Sequence, residues 1–395
     1  MSTIEEIQPA SRMRDTGSST AADPAAAGRE AVLAALGGRT AGADDLVLLF
    51  ASVSYDLETL HRAAMEAAAP APVVGATTVG AFTLADQVAT GCVAIVLRGG
   101  DDMRFGIAHL ARGDDDRAAL GRTAAELALE RVGEEREHSV LLMLCDALTP
   151  DQRALTRGAY EITSALVPLV GGAAGDDLHF RETFTFGEGR VCGHGLVAVW
   201  VTSDRPLAVS VDHGWHPVGA PMLVTRAEGP VIHELDGRPA LEAYLDACGI
   251  DLTRSARSFG ELCMASPVGI PTGAGGHDVR QIHERTPDGG LVLTTGVPEQ
   301  TVLRLMTTDR ASLLAGAESA AATALAQLHG PARLAVVFSC CTRVPMLGEH
   351  IAQEVDVISR VLGGVPAAGF YTCGEIARVS GSTGIHNSSV ALLCL

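Results

Sequence analysis

The stretch LAVVFSCCTRVPMLGEHIAQEVDVISRVLGGVPAAGFYTCGEIARVSGSTGIHNSSVALLCL, residues 334–395, decides the fold. Its opening run, Leu334–Phe338, is apolar without alternation, as in a strand buried on both faces. Two cysteines and Arg343 follow, then a helical pattern, Pro366-Ala-Ala-Gly369, the polar turn Phe370–Glu375, and a closing strand over Ser389–Leu395. The same order of parts occurs twice upstream. Leu46–Phe50 precedes a helix over Asp56–Ala69, then Pro72-Val-Val-Gly75 and a strand over Cys92–Leu97. Val140–Leu144 precedes a helix beginning after Thr149-Pro150, an N-cap followed by proline at the first helical position. Pro168-Leu-Val-Gly171 and strands over Glu182–Phe186 and Leu196–Val201 complete that copy.

Three Pro-x-x-Gly elements in one strand–helix–strand context indicate internal duplication. The repeat is too long and too divergent for a solenoid. The predicted fold class is α/β: two halves with mixed β-sheets flanked by helices, built from repeated strand–helix–strand units. Residues 1–40, rich in Ser, Thr, Ala and Gly with one short helical pattern at Glu30–Leu36, read as a flexible N-terminal arm. Between the second and third copies the pattern changes. Strands are expected at Leu207–Val211 and Met222–Ala227, flanking the turn Gly214–Gly219, and a helix at Pro239–Cys248. Val279–Ile282 and Gly290–Thr295 read as a hairpin around Pro287-Asp-Gly-Gly, followed by a strand at Thr301–Thr307 and a helix at Asp309–Leu328. The expected domains are 41–230 and 231–395, with the boundary near Gly229–Pro239.

The chain of 395 residues carries a net charge of −18 with no basic stripe, which argues against nucleic acid or an anionic membrane as a partner. All 29 basic residues are arginine. Without lysine there is no Walker-A phosphate loop, no Schiff-base chemistry and no protein-kinase fold. The nine cysteines are odd in number and include no C-x-x-C pair, against a disulfide framework or zinc ribbon. With no secretory leader pattern, the expected setting is the cytoplasm. No apolar run reaches the ~20 residues of a membrane span.

Four short motifs then carry a resemblance. Pro72–Gly80 (PVVGATTVG), Val170–Asp177 (VGGAAGDD), His213–Gly219 (HGWHPVG), and Gly369–Ile376 (GFYTCGEI) with His386-Asn387 are similar to FIST-domain proteins. The resemblance covers nearly everything from Leu46 to Leu395. It implies a sensory input module with an N-terminal and a C-terminal half, a small and amino-acid-like ligand, and no enzymatic activity. It also implies a signalling partner in trans: a histidine kinase, a cyclic-dinucleotide enzyme or a chemoreceptor. Some members that it resembles are haem-binding nitric-oxide sensors, so haem is a candidate cofactor. Cys373 and Ala81 depart from the family pattern.

The residues themselves nominate a site. The glycine turns Gly75–Gly80, Gly171–Gly175 and Gly369–Gly374 let a ligand approach the backbone, or are tight turns required by packing. Gly171 and Gly172 are candidates for ligand contact. Asp176 and Asp177 offer acceptors for an ammonium group, and Arg343 a bidentate clamp for a carboxylate; the alternatives are a solvated turn and an arginine paired with Glu349 or Glu375. Tyr371, Thr372 and Glu375 share one turn, with His386 and Asn387 near the last strand. Cys340 is a candidate ligand contact, and a thiol-dependent enzyme using Cys340 or Cys341 would need a neighbouring base. Arg280 is either a pocket residue or a surface arginine. If haem binds, His213, His216 and His386 are the candidate axial ligands, each against the alternative of a structural histidine.

Overall fold

A computed structural model describes residues 15–88, 90–111, 116–148, 152–252, 258–273, 275–378 and 384–395. The Thr149-Pro150 helix start lies outside the described residues.

The repeat is real and longer than its motifs. The first unit comprises β1 (Thr16–Ser19), α1 (Pro24–Leu36), β2 (Leu46–Ser52), α2 (Leu57–Ala68), β3 (Val73–Thr78), the hairpin β4 (Ala81–Thr83) and β5 (Gln87–Val88), and β6 (Cys92–Leu97). The second comprises β7 (Met103–Ala111), α3 (Arg117–Val132), β8 (His138–Cys145), α4 (Gln152–Thr163), β9 (Leu169–Ala173), the hairpin β10 (Phe184–Gly187) and β11 (Arg190–Gly193), and β12 (Gly195–Ser203). The third starts at β13 (Ala208–Asp212) and is interrupted by an inserted body. That body contains β14 (His216–Glu228), β15 (Val231–Leu235), β16 (Arg238–Pro239), α5 (Ala240–Cys248), α6 (Phe259–Ala265), β17 (Val268–Pro271), β18 (His277–Arg280), β19 (Ile282–Arg285), β20 (Leu291–Leu293) and β21 (Val302–Thr307). The third unit resumes with α7 (Arg310–Leu328), β22 (Ala335–Cys340), α8 (Arg343–Leu347), α9 (Ala352–Leu362), β23 (Ala367–Thr372), the hairpin β24 (Glu375–Arg378) and β25 (Gly384–His386), and β26 (Val390–Cys394).

Each unit has the same sheet. Its parallel pair is β2/β3, β8/β9 or β22/β23, and its last strand runs antiparallel to the first member of that pair. The hairpin, however, never joins its own unit. β4 pairs with β23, β10 with β3, and β24 with β9, so the three units exchange hairpins in a closed cycle.

The apolar runs are continuous because both faces are covered. Leu46, Leu48 and Phe50 meet Leu142, Leu144, Val336 and Phe338 in one core shared by the three sheets. The alternate residues Val47 and Leu49, Leu141 and Met143, and Ala335 and Val337 lie beneath the helices of their own units. Phe50 and Phe338 both pack on Phe370, with ring centroids 4.4 Å and 5.8 Å away.

The Pro-x-x-Gly glycines occupy one register. Gly75 lies opposite Leu49, Gly171 opposite Met143, and Gly369 opposite Val337. On the other side each faces a large apolar residue of the incoming hairpin: Phe186, Ile376 and Phe82 respectively. A β-carbon on any of the three would overlap the carbonyl oxygen of the neighbouring strand. They are therefore required by packing between strands rather than by a pocket floor.

Three further expectations change. Residues 15–40 are not a flexible arm: β1 pairs with β6, and Ala27, Ala31, Val32, Ala35 and Leu36 are buried on α1. The small residues that look poor in burial are those that let α1 approach α2 closely. The 230/231 boundary falls in the β14–β15 turn, inside one sheet, because β14 runs on through His216–Gly219 and absorbs the irregularity in a register shift against β21. In the hairpin, β20 pairs with β19, whereas Val279 and Arg280 pair back onto β17.

Gly369→Ala is expected to lower the unfolding free energy by at least about 3 kcal/mol, because main chain and not a flexible side chain must move. Gly260→Ala, on α6 with open space around the new atom, is expected to be neutral or stabilising by up to about 1 kcal/mol. Urea denaturation of both variants measures the contrast.

Candidate functional site

The carboxyl ends of β22 and β23 meet the inserted body, and most of the nominated residues gather there. Strand pleat divides them. Val337 and Tyr371 face the helix layer, while Phe338 and Phe370 face the shared core. Ser339 therefore joins the helix side, and Cys340 and Thr372 the core side.

On the helix side, Ser339 Oγ donates to Glu354 Oε1 at 2.7 Å and Arg343 Nε donates to Glu354 Oε2 at 2.5 Å. The remaining Arg343 nitrogens reach the carbonyls of His213 at 3.2 Å and Leu313 at 2.8 Å. Every guanidinium nitrogen thus donates within the protein, and both members of the pair are buried. Arg343 pairs with neither Glu349 nor Glu375. It ties α8 to α9, to the His213 turn and to α7, so the carboxylate-clamp role does not fit its geometry. Tyr371 stacks beside Phe82 at 5.2 Å between ring centroids, and its buried hydroxyl has no hydrogen-bond partner.

On the core side, Thr372 Oγ1 donates to Glu375 Oε1 at 2.6 Å, and Ser389 gives its N–H at 3.1 Å and its hydroxyl at 2.8 Å to Oε2. These are neutral donors. Burial, reinforced by the Cys340 thiol, raises the Glu375 carboxyl well above the ordinary range despite them. Gly172 is the strand partner of Glu375, and Gly171 that of Ile376, so the second unit contributes backbone to this side. Cys340 accepts from Thr342 Oγ1 at 3.2 Å. Its thiol is buried and pushed well up by desolvation. An acid and hydroxyls surround it rather than a base, so a Cys340 thiolate nucleophile does not fit.

The inserted body closes the site with polar groups. Asn387 Oδ1 accepts from Gln281 N at 3.4 Å and Thr294 Oγ1 at 2.5 Å, and Ser388 Oγ donates to Gln281 Oε1 at 3.2 Å. Trp215 Nε1 donates to the Ser388 carbonyl at 3.2 Å. Arg280 is fully buried here, 3.5 Å from Asp278, so it is not a surface arginine. His386 Nδ1 lies 3.7 Å from the same Asp278, and its Nε2 donates to the Ala377 carbonyl at 2.8 Å.

Two nominated acids lie elsewhere. Asp176 accepts from the N–H groups of Phe180, Arg181 and Glu182, and so organises its own loop rather than receiving an ammonium group. Asp177 accepts from Ser52 Oγ of the first unit at 2.7 Å. Glu354 escaped the sequence reading. Its signal was a carboxylate on the apolar stripe of α9, in line with Ile358 and Leu362. Asp146 and His194 were also missed. At the matching end of the second unit, His194 Nδ1 is 2.8 Å from the buried Asp146 carboxylate.

A family model for the FIST N domain matches residues 45–238, and one for the FIST C domain matches residues 240–378. The chain belongs to the FIST family. FIST domains are sensory domains of signal transduction. An uncharacterised protein of Mycobacterium tuberculosis is 28% identical over 231 residues, covering 57% of this chain and 60% of that one. An uncharacterised protein of Mycobacterium bovis is 27% identical over 232 residues, 57% of this chain and 59% of that one. One from Methanocaldococcus jannaschii is 30% identical over 154 residues, 36% of this chain and 30% of that one. The match thus spans about 60% of the length of the mycobacterial relatives.

Of the three candidate axial histidines of this FIST protein, His213 and His386 already have hydrogen-bond partners. His213 Nδ1 accepts the Trp215 N–H at 2.8 Å and Nε2 donates to the His277 carbonyl at 3.0 Å, so neither nitrogen is open to iron. His386 Nε2 is held by the Ala377 carbonyl, and Nδ1 faces Asp278 at 3.7 Å. His216 is exposed on β14. No helix among the described residues is long and apolar enough to cross a membrane.

The raised pKa of Glu375 predicts a sign. Its folded-state pKa is raised, so its stabilising contribution is complete below the ordinary carboxyl pKa of about 4.3 and is lost as pH rises toward the folded value. Glu375→Gln removes the titrating group, keeps one oxygen to accept from Ser389, and lets the Thr372 hydroxyl turn to accept from the amide. The variant is expected to melt above the wild type at neutral and alkaline pH, with the difference closing near pH ~4. Thermal melting across that range checks the trend.

Proposed function

We propose that this FIST protein senses a small ligand, amino-acid-like or a small acid, beneath α8 and α9 where the third unit meets the inserted body. Ligand occupancy biases how the inserted body sits on the core, and the change passes to a separate signalling protein in the cytoplasm: a histidine kinase, a cyclic-dinucleotide enzyme or a chemoreceptor. The observation that carries the reading is the Tyr371 hydroxyl. It is buried beside the Arg343–Glu354 pair without a partner, and an orphan donor in such a place costs roughly 1–3 kcal/mol unless something satisfies it. The junction itself is joined by Asn387, Gln281 and Ser388 through hydrogen bonds, which can re-pair when the body shifts.

A thermal-shift screen of amino acids and small carboxylic acids tests the proposal. At a hundredfold excess over Kd, a true ligand stabilises by about 2.7 kcal/mol. Tyr371→Phe is expected to melt at or above the wild-type temperature without ligand and to lose most of the ligand-induced rise. A screen with no stabilising compound, or a Tyr371→Phe variant that responds as the wild type does, overturns the reading. Haem added to the protein is expected to keep the spectrum of unligated haem.

A further inference from the structure

The third unit ends its parallel pair in thiols. Cys340 and Thr372 are register partners, and the pairing continues one step further as Cys341 N–H donates to the Thr372 carbonyl at 2.7 Å. Cys341 and Cys373 thus follow directly on the last paired residues of two adjacent strands, and neighbouring strands lie about 4.8 Å apart in the hydrogen-bonding direction. That spacing lies within the Cα separation a disulfide spans, about 4.4–6.8 Å. The Cys341 and Cys373 thiols are near enough to influence each other electrostatically. Cys373 is half-buried at the bend before β24, whereas Cys341 is covered. The matching positions of the other units carry no such pair: Val53 and Val79 in the first, Ala147 and Gly175 in the second.

We propose that Cys341 and Cys373 form an oxidant-responsive dithiol that closes to a disulfide when a hydroperoxide reaches Cys373. The Cys373 sulfur attacks the peroxide oxygen. An S–O bond forms, the O–O bond breaks, and the alcohol or water leaves with the Cys373 proton. The Cys341 sulfur then attacks the sulfenic sulfur. The S–S bond forms, the S–O bond breaks, and the departing hydroxide takes the Cys341 proton as water. Two thiols lose two electrons and the peroxide gains them. The Cys340 contact pulls the Cys341 thiol down, but contact with Cys373 and burial hold it well above the usual range. The bond would lock the ends of β22 and β23 directly beside Thr372 and Glu375. This inference does not depend on the ligand proposed above.

The test uses the full reduced chain, treated with stoichiometric hydrogen peroxide, alkylated under denaturing conditions and cleaved after arginine without reduction. Cleavage gives peptides 334–343, holding Cys340 and Cys341, and 361–378, holding Cys373. Mass spectrometry is expected to find these two linked in the wild type and in Cys340→Ser. In Cys341→Ser the link is expected to vanish while dimedone labels Cys373 at least fivefold more than in the wild type. Melting curves of the reduced variants confirm that each is folded. Absence of the link, its loss in Cys340→Ser with retention in Cys341→Ser, or oxidation confined to the half-buried Cys192 and Cys248 would each overturn the proposal.

Discussion

A parallel strand pair leaves one edge of its second strand unpaired, and the rest of this structure follows from how that edge is covered. A bare edge exposes a row of unmet N–H and carbonyl groups. Here β3, β9 and β23 are each completed by a hairpin from another unit. Because the donation is cyclic, no unit has a full sheet by itself. The shared core of Leu48, Phe50, Leu144, Phe338 and Phe370 draws on all three. The glycine at each edge serves close strand approach as well, since a β-carbon there would meet the carbonyl of Leu49, Met143 or Val337 on the paired strand.

This arrangement explains why most of the candidate residues gather in the third unit. The first two units end in compact tips, where Ser52 meets Asp177 and Asp146 meets His194. The third is split by an inserted body that returns to cover its tip. Buried charge accumulates there because two bodies, rather than one, contribute to the enclosure: Arg343 and Glu354 from the core, Arg280 and Asp278 from the insertion. Each pair is matched, so the burial is tolerable. Glu375 differs, because the groups that hydrogen-bond to it are the neutral donors of Thr372 and Ser389.

Much of the fold was legible because its signals are local. A run such as Leu46–Phe50 can only be a strand covered on both sides, and three such runs in one repeating context announce the duplication. Residues 15–40 were not legible, since alanines spaced for helix contact resemble the composition of a mobile segment. Around the site, proximity was legible for Cys340, Arg343, Tyr371, Thr372 and Glu375, which neighbouring strands bring together.

What each residue does there was not. The sequence by itself determined the three units, their paired strands and the polar ends of the last one, because hydrophobic period and turn chemistry act over a few residues. Only the tertiary structure decided that Arg343 is occupied by Glu354, that Asp176 holds its own loop, that Tyr371 keeps an unmatched hydroxyl, and that every hairpin belongs to a neighbour. Those outcomes depend on which charges and strand edges come within hydrogen-bond distance across long stretches of chain. Side chains of the same type serve equally well as clamp, cap or brace until that distance is set.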